Sequence, residues 1–224
     1  VVKTCEALKE KILHKAAKYL ETGVEELEFD GKRVYKLACG EDGTKKEISI
    51  KDLANRVQCA NEDALQVTQS HSSPISPPPF MAGAAEVEVD LETGQVELIK
   101  FAAAVDCGTP LNENLARVQT EGGLVQGIGM ALYEDVSYSK DGKVHENSFM
   151  QYKVPSRLDV GRVQVEFESS FEPTGPFGAK SIGEVVINTP SPAIANAVYN
   201  AVGVRIRELP ITAEKVFKGM NGLD

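Results

Sequence analysis

A glutamate set among glycines is the first candidate for chemistry. In residues 174–187, TGPFGAKSIGEVVI, Gly175, Gly178 and Gly183 lead up to Glu184, and Val185, Val186 and Ile187 follow it. Glycine lets a backbone turn sharply, reach φ > 0 or lie against a ligand. A carboxylate between bare backbone and an apolar run is a candidate base, because burial there would disfavour its charged form. The alternative is a surface loop with a solvated glutamate. The second candidate is Gln119, in residues 109–133, TPLNENLARVQTEGGLVQGIGMALY. A glutamine amide donates and accepts hydrogen bonds at once. The alternative for Gln119 is a polar residue at a helix start. Gly122, Gly123, Gly127 and Gly129 fall in the same helical stretch, each at a cost of roughly 1 kcal/mol against Ala. Either close helix packing or a ligand against the backbone must gain from the missing side chains.

Other chemistries find no support. The chain holds no H-E-x-x-H, no C-x-x-C pair and no G-x-S-x-G elbow, so a zinc centre and a serine hydrolase are not indicated and no metal ligand set is assigned. The G-I-G at 127–129 lacks the third glycine of a dinucleotide fingerprint, and GPFGAKS lacks the spacing of a Walker loop. Cys5, Cys39, Cys59 and Cys107 are irregularly spaced and read as reduced, buried thiols. A net charge of −9 argues against a nucleic-acid partner. No stretch approaches the ~20 apolar residues of a membrane span, and no signal peptide is visible, so a cytoplasmic location is expected. The chain begins at Val1 rather than Met, which suggests a chain that was processed, trimmed or cut from something longer.

The elements that must position these residues can be read in part. Cys5, Leu8, Ile12, Ala16 and Tyr19 line one face of a helix over 4–20. Leu27–Phe29 and Val34–Leu37 read as strands joined through Asp30-Gly31, Glu41-Asp42-Gly43 as a turn, and Glu47–Ile50 as a strand. A helix then runs to about Gln58 with Leu53 and Val57 inward. Residues 1–67 are expected to form a small scaffold lobe. TQSHSSPISPPPF (68–80) forms a crossing segment with an exposed His71, and 81–224 forms the second lobe. In that lobe Ala85, Val87 and Val89 alternate with acids before a turn at Glu92-Thr93-Gly94 and a return strand through Val105. Val118, Val125, Ile128 and Leu132 share a helical face, and Val163, Val165 and Phe167 alternate in a strand. Ser191 is expected to cap a helix with Pro192 at its first position and Gly203 at its end. A short strand near Val204–Ile206 and a last helix capped by Thr212 complete the chain. The order implies an α+β fold with antiparallel hairpins.

Two stretches carry a resemblance. GPFGAKSIGE followed by NTPSPAIANAVYNAVG resembles the G-A-K-x-[IV]-G-E and A-I-x-N-A-[IV]-Y-x-A-x-G patterns of the molybdenum hydroxylases, the family of xanthine dehydrogenase and aldehyde oxidase. DCGTPLN and VQTEGGLVQGIGMALYE resemble the family's D-x-G-x-x-[IL]-N and x-Q-x-E-G-G-x-x-Q-G-[IL]-G-x-A-L-x-E runs. Here Val118-Gln119 stands for the usual G-Q, and Asn112-Glu113 for N-P. NSFMQYKVP (147–155) is similar to a further family element, read as structural. The resemblance covers most of the chain. It implies a molybdenum cofactor-binding fold in two lobes with mixed and antiparallel sheets and packed helices, the lobes meeting near Gln119 and Glu184. It makes Glu184 the catalytic base. It assigns Gln119, Gly178, Ala179, Lys180, Ser181, Ile182 and Gly183 to binding of the molybdenum–molybdopterin cofactor, in its simple or cytosine dinucleotide form. The implied reaction hydroxylates a purine, an N-heterocycle or an aldehyde with water as oxygen source. Iron–sulfur clusters and FAD are expected on partner chains or further domains, and the upstream half of the molybdenum subunit is expected as a partner. The isolated chain is therefore expected to be inactive. The rival reading is an accessory or scaffold chain of the same fold without cofactor.

Overall fold

The computed structural model describes residues 1–38 and 45–223, so Cys39 and the turn expected at Glu41-Asp42-Gly43 lie outside the described residues. The chain divides into two compact units, Val1–Ser73 and Pro74–Asp224. The division falls inside the proline-rich stretch, which carries no helix or strand before Phe80.

The first unit runs α1 (Val2–Leu20), β1 (Leu27–Phe29), β2 (Arg33–Lys36), β3 (Glu47–Ser49) and α2 (Ile50–Cys59). Its three strands pair antiparallel in chain order. Asp30 closes the first turn by accepting from the backbone N–H of Lys32 and Arg33 at 2.9 and 2.8 Å. Ser49 caps α2 by accepting from Asp52 N–H at 3.1 Å. Ile12, Ala16 and Leu20 of α1 pack with Leu27, Val34, Ile48, Leu53 and Val57. The buried stripe of α1 starts at Ile12, so Cys5 is exposed, as is Cys59; only Cys107 among the described cysteines is buried as expected. Glu62 ties the segment after α2 back to α1. It accepts from Lys15 Nζ at 2.6 Å, from Lys18 Nζ, and from Tyr19 Oη at 3.1 Å. Lys15 first, then Lys18, hold its carboxyl down at about 2.

The second unit is built on β4 (Phe80–Val89), β5 (Val96–Asp106) and β6 (Arg162–Phe167), with α3 (Glu113–Leu132), α4 (Val185–Asn188), α5 (Pro190–Val202) and α6 (Ala213–Asn221). β5 is the central strand. It pairs antiparallel with β4 through the expected hairpin and parallel with β6. Parallel neighbours need a long crossover, and the β5-to-β6 connection contains α3. The sheet is therefore mixed rather than the run of antiparallel hairpins that element order alone suggested. Phe101, Val105, Val165, Leu124, Ile128, Ile194, Val198 and Val216 form the centre of its core.

Several local expectations are corrected. The helix expected to start after Ser191 begins at Pro190 with Thr189 in the cap position, and the Ser191 hydroxyl instead donates to the Gly127 carbonyl at 3.4 Å. Residues 204–206 form no strand. Val118 is 66% exposed, off the buried face held by Ile128 and Leu132. Phe149 and Met150, in the element read as structural, are 92% and 95% exposed.

The glycines of α3 divide by what surrounds them. A Cβ on Gly123 would stand 2.1 Å from Val186 Cγ2, and one on Gly127 would stand 2.7 Å from Pro190 Cγ. These two let α4 and the start of α5 lie close on α3. A Cβ on Gly122 meets nothing within 4 Å. Gly122→Ala is therefore expected to stabilise the chain by up to about 1 kcal/mol through helix propensity. Gly123→Ala is expected to destabilise it by about 1–3 kcal/mol through overpacking. Urea midpoints of the two variants check the opposite signs; a shared sign would refute this division of the glycines.

Candidate functional site

The site begins where β5 ends. Asp106, Cys107, Gly108 and Thr109 leave the strand, and the loop after β6 returns to lie along them. Thr109 N–H donates to the Gly178 carbonyl at 2.8 Å, and Lys180 N–H donates to the Cys107 carbonyl at 2.7 Å. Gly108 takes φ +69, and a Cβ there would stand 2.3 Å from the Gly178 carbonyl oxygen, so only glycine admits this approach. Gly178 itself takes φ +83, while Phe177 before it is left-handed at φ 55. For a non-glycine residue that conformation is strained.

Beneath these bonds lies a charged anchor. Lys180 Nζ meets Asp106 Oδ2 at 2.6 Å, with the two side chains only 7% and 21% exposed. Asp106 Oδ1 also accepts from the Ser170 hydroxyl, and from Gly108 N–H at 2.9 Å. The lysine first and then the serine keep the Asp106 carboxyl down at about 2. The Lys180 ammonium also lies 5.2 Å from the centre of the Phe80 ring. Their pairing did not stand out in the sequence. Asp106 lies 74 residues before Lys180; each sits in a recognisable motif, but nothing in either motif joins the two.

On the other side of the cleft is α3. Asn112 caps it by accepting from Leu115 N–H at 3.0 Å. Gln119 therefore lies in the second turn, not at the helix start. A cleft of about 500 Å³ opens between the two walls. Gln119, Leu115 and Ala116 line it from α3, Ala179, Lys180, Ile182 and Gly183 from the loop, and Cys107 from the end of β5. Five of the predicted residues thus face one space. Gly178 and Ser181 do not line it; Gly178 is occupied in the turn, its carbonyl accepting from Thr109 and Glu172 N–H. The residues that line the cleft all belong to the second unit.

Glu184 differs from its expectation. It is exposed and stands at the cap position before α4. The apolar run after it is a helical turn, so Glu184 and Val186 diverge by about 200°. Val186 is 1% exposed, seated on Gly123, and the glutamate turns outward. The described residues do not bury it as expected.

The polar inventory of the cleft suits a ligand with both donors and acceptors. The Gln119 amide has no side-chain partner among the described residues, nor do the N–H groups of Ser181 and Ile182. The N–H groups of Gly178, Ala179 and Lys180 bond backbone carbonyls, and that of Gly183 bonds Ser181 Oγ at 3.4 Å. Among the described residues no group of three or more His, Cys, Asp or Glu side chains could hold a metal ion. Two features fit a pterin: donors and acceptors without partners among the described residues, and glycine at the rim. The rim is also apolar and uncovered, with Leu111, Leu115 and Val118 each more than 60% exposed. No helix of the described residues is long and apolar enough to cross a membrane.

Comparison with known proteins bears on this cleft. Residues 1–161 match the molybdopterin cofactor-binding domain family. The chain is 34% identical over 217 residues to a probable hypoxanthine oxidase, XdhD, of Escherichia coli (strain K12), which covers 96% of this chain and 22% of that protein. It is 30% identical over 230 residues to the large subunit of nicotine 6-hydroxylase of Paenarthrobacter nicotinovorans, covering 97% of this chain and 27% of that one. Among solved structures, CO dehydrogenase from Oligotropha carboxidovorans superposes with a TM-score of 0.76 at 26% identity, over 98% of this chain and 28% of that one. The chain thus spans less than a third of the length of each.

Proposed function

Since the chain belongs to the molybdenum hydroxylase family, we propose that it forms one wall of a molybdopterin site in an enzyme that hydroxylates a purine, another N-heterocycle or an aldehyde. One observation carries this reading: Gln119 and the loop residues Ala179, Lys180, Ile182 and Gly183, far apart in sequence, line a single cleft. When bound, the cofactor supplies the redox chemistry that removes two electrons from a substrate carbon, with water as oxygen source. The chain's own residues do the rest. The Gln119 amide donates to and accepts from the pterin, which it can do because no described residue competes for it. The N–H group of Ile182 donates at the loop wall. Glu184, directly after the cleft-lining Gly183, receives the proton released in the reaction at its carboxylate.

The exposed rim explains why one wall is not enough. Leu115 and Val118 on α3, with Leu111 just before its cap, leave apolar side chains exposed at the cleft, and a contiguous exposed apolar patch marks a surface that another body covers. Its cover is the upstream half of the molybdenum subunit, and the same cover would desolvate Glu184. Iron–sulfur and flavin groups on partner chains or domains would take up the electrons, and the cofactor would be of the simple or the cytosine dinucleotide form.

The test is cofactor occupancy. The isolated chain should bind no molybdenum cofactor tightly, because a half-built polar site leaves cofactor groups unpaired. In the assembled enzyme, Gln119→Ala should lower molybdenum and pterin content, since a lost hydrogen bond to a buried partner costs about 1–3 kcal/mol. Gln119→Glu, which keeps the helix, should leave folding unchanged. Elemental analysis beside circular dichroism reads both. Full molybdenum content in the alanine variant would remove Gln119 from the site. An assembled wild-type enzyme that purifies without molybdenum or pterin would favour the cofactor-free scaffold.

A further inference from the structure

We propose that Asp106 and Lys180 form a clasp that sets the position of Glu184, so that Lys180 is a positioning residue and not a group that touches the cofactor. The proposal rests on the functional reading above for what Glu184 does, but the clasp itself is a property of this chain.

Three observations meet at one carboxylate. Asp106 ends the central strand. Its Oδ1 accepts from Ser170, where the loop begins, and its Oδ2 meets Lys180 Nζ at 2.6 Å, where the loop re-enters the cleft. The excursion of residues 171–179 is thus closed at both ends on a single side chain. Backbone bonds repeat the attachment, from Lys180 N–H to Cys107 and from Thr109 N–H to Gly178. The Lys180 side chain is 7% exposed, and its ammonium lies over the Phe80 ring. Lys180 is among the residues that line the cleft, while its charge is held at the strand end by Asp106.

Six residues after Lys180 the chain meets a second anchor. Val186 is 1% exposed and fills the notch left by Gly123. Between the two anchors run Ser181, Ile182, Gly183, Glu184 and Val185. The first four have no helix or strand, and a Cβ on Gly183 would find only Ser181 Oγ, at 4.0 Å. Within this span Ile182 packs against the core, but among the described residues nothing outside the span holds Gly183 or the Glu184 side chain, so the anchors on either side decide where Glu184 stands. Breaking one partner of a mostly buried ion pair leaves an uncompensated charge, and the loop would leave the strand to solvate it. The glutamate would move with the loop.

The experiment has two readouts. In the 224-residue chain, hydrogen exchange is followed in peptides covering 178–184 for wild type, Lys180→Met, Lys180→Arg, Asp106→Asn and the charge swap Asp106→Lys with Lys180→Asp. Exchange should quicken by at least about tenfold in Lys180→Met and Asp106→Asn, while β4 and β5 keep their protection. It should stay near wild type in Lys180→Arg and recover in part in the swap. In the assembled enzyme, Lys180→Met should keep its molybdenum, and its reduction by substrate should slow. The loss should lie between roughly tenfold and the hundredfold that a misplacement of about 1 Å can bring. Unchanged exchange at 178–184 in Lys180→Met overturns the clasp. Loss of molybdenum in step with activity, with exchange unchanged, overturns it in favour of direct cofactor contact. A variant that unfolds as a whole is replaced by Lys180→Arg, whose loop must then exchange as wild type for the clasp to stand. A loop that loosens as expected, in an enzyme found to hold no cofactor, leaves the clasp in place and refutes the functional reading alone.

Discussion

In the assembled enzyme, Glu184→Gln is expected to retain fold and molybdenum while reduction by substrate slows at least the ~100-fold that follows loss of a general base. The amide keeps the shape and most hydrogen-bonding capacity of the carboxylate but cannot accept the proton. The fold should be indifferent to the change, because Glu184 is exposed and its side chain has no partner among the described residues. What anchors this part of the chain is Val186, two residues on. Stopped-flow reduction beside metal analysis decides the matter. A glutamine variant that holds its molybdenum and reduces at nearly the wild-type rate would show that Glu184 is not the base. A second outcome would also count against the proposal: loss of molybdenum in step with rate would make Glu184 a binding residue.

The exposure of Glu184 marks the boundary of what sequence can say here. Its apolar neighbours suggested burial, and they are indeed buried in part, but a helical turn aims residues 184 and 186 to different sides. Periodicity over four residues does not separate a helical turn from an extended run. The same weakness explains the start of α5. Ser191 is a good cap by type, yet Pro190 serves as the first helical residue and Ser191 turns to Gly127. Where the signal was long, it held: α1, the Glu92–Gly94 hairpin, and the last helix after Thr212, whose Oγ1 accepts from Lys215 N–H at 3.3 Å.

Non-local features were not legible. The parallel pairing of β5 with β6 joins residues about sixty positions apart, Phe101 with Val163 for example, and nothing in the order of elements selects it. The Asp106–Lys180 pair spans a longer gap. Both motifs that held these residues were visible, but motif spacing says that Lys180 matters, not which way its charge points. The glycines of α3 left two readings open, packing or a ligand, and the structure divides them. Gly123 and Gly127 serve packing, whereas Gly122 faces open space, on the side of α3 that is also uncovered at Leu115 and Val118.

The site depends on the central strand, and Phe101 is where that dependence can be measured. Its side chain is 0% exposed. It sits opposite Ala85 on β4 and Val163 on β6. Its ring also fills the space above Gly83, where a Cβ would stand 2.8 Å from its Cζ. Small residues around a large ring leave no side chain able to expand into a void, so collapse after truncation should be incomplete. Phe101→Ala is therefore expected to destabilise the second unit by about 3–5 kcal/mol, a large share of the 5–15 kcal/mol typical of a folded domain. The urea midpoint should fall with little change in slope, and hydrogen exchange in β4 and β5 should quicken. Asp106 ends the same strand, five residues on, so exchange at 178–184 should quicken with it. Phe149→Ala is the control: that ring is 92% exposed, and its loss from this chain should shift stability by no more than about 0.5 kcal/mol. Equal losses at the two positions would mean that the core is not centred on β5, and the argument that this strand holds the loop in place would fail with it.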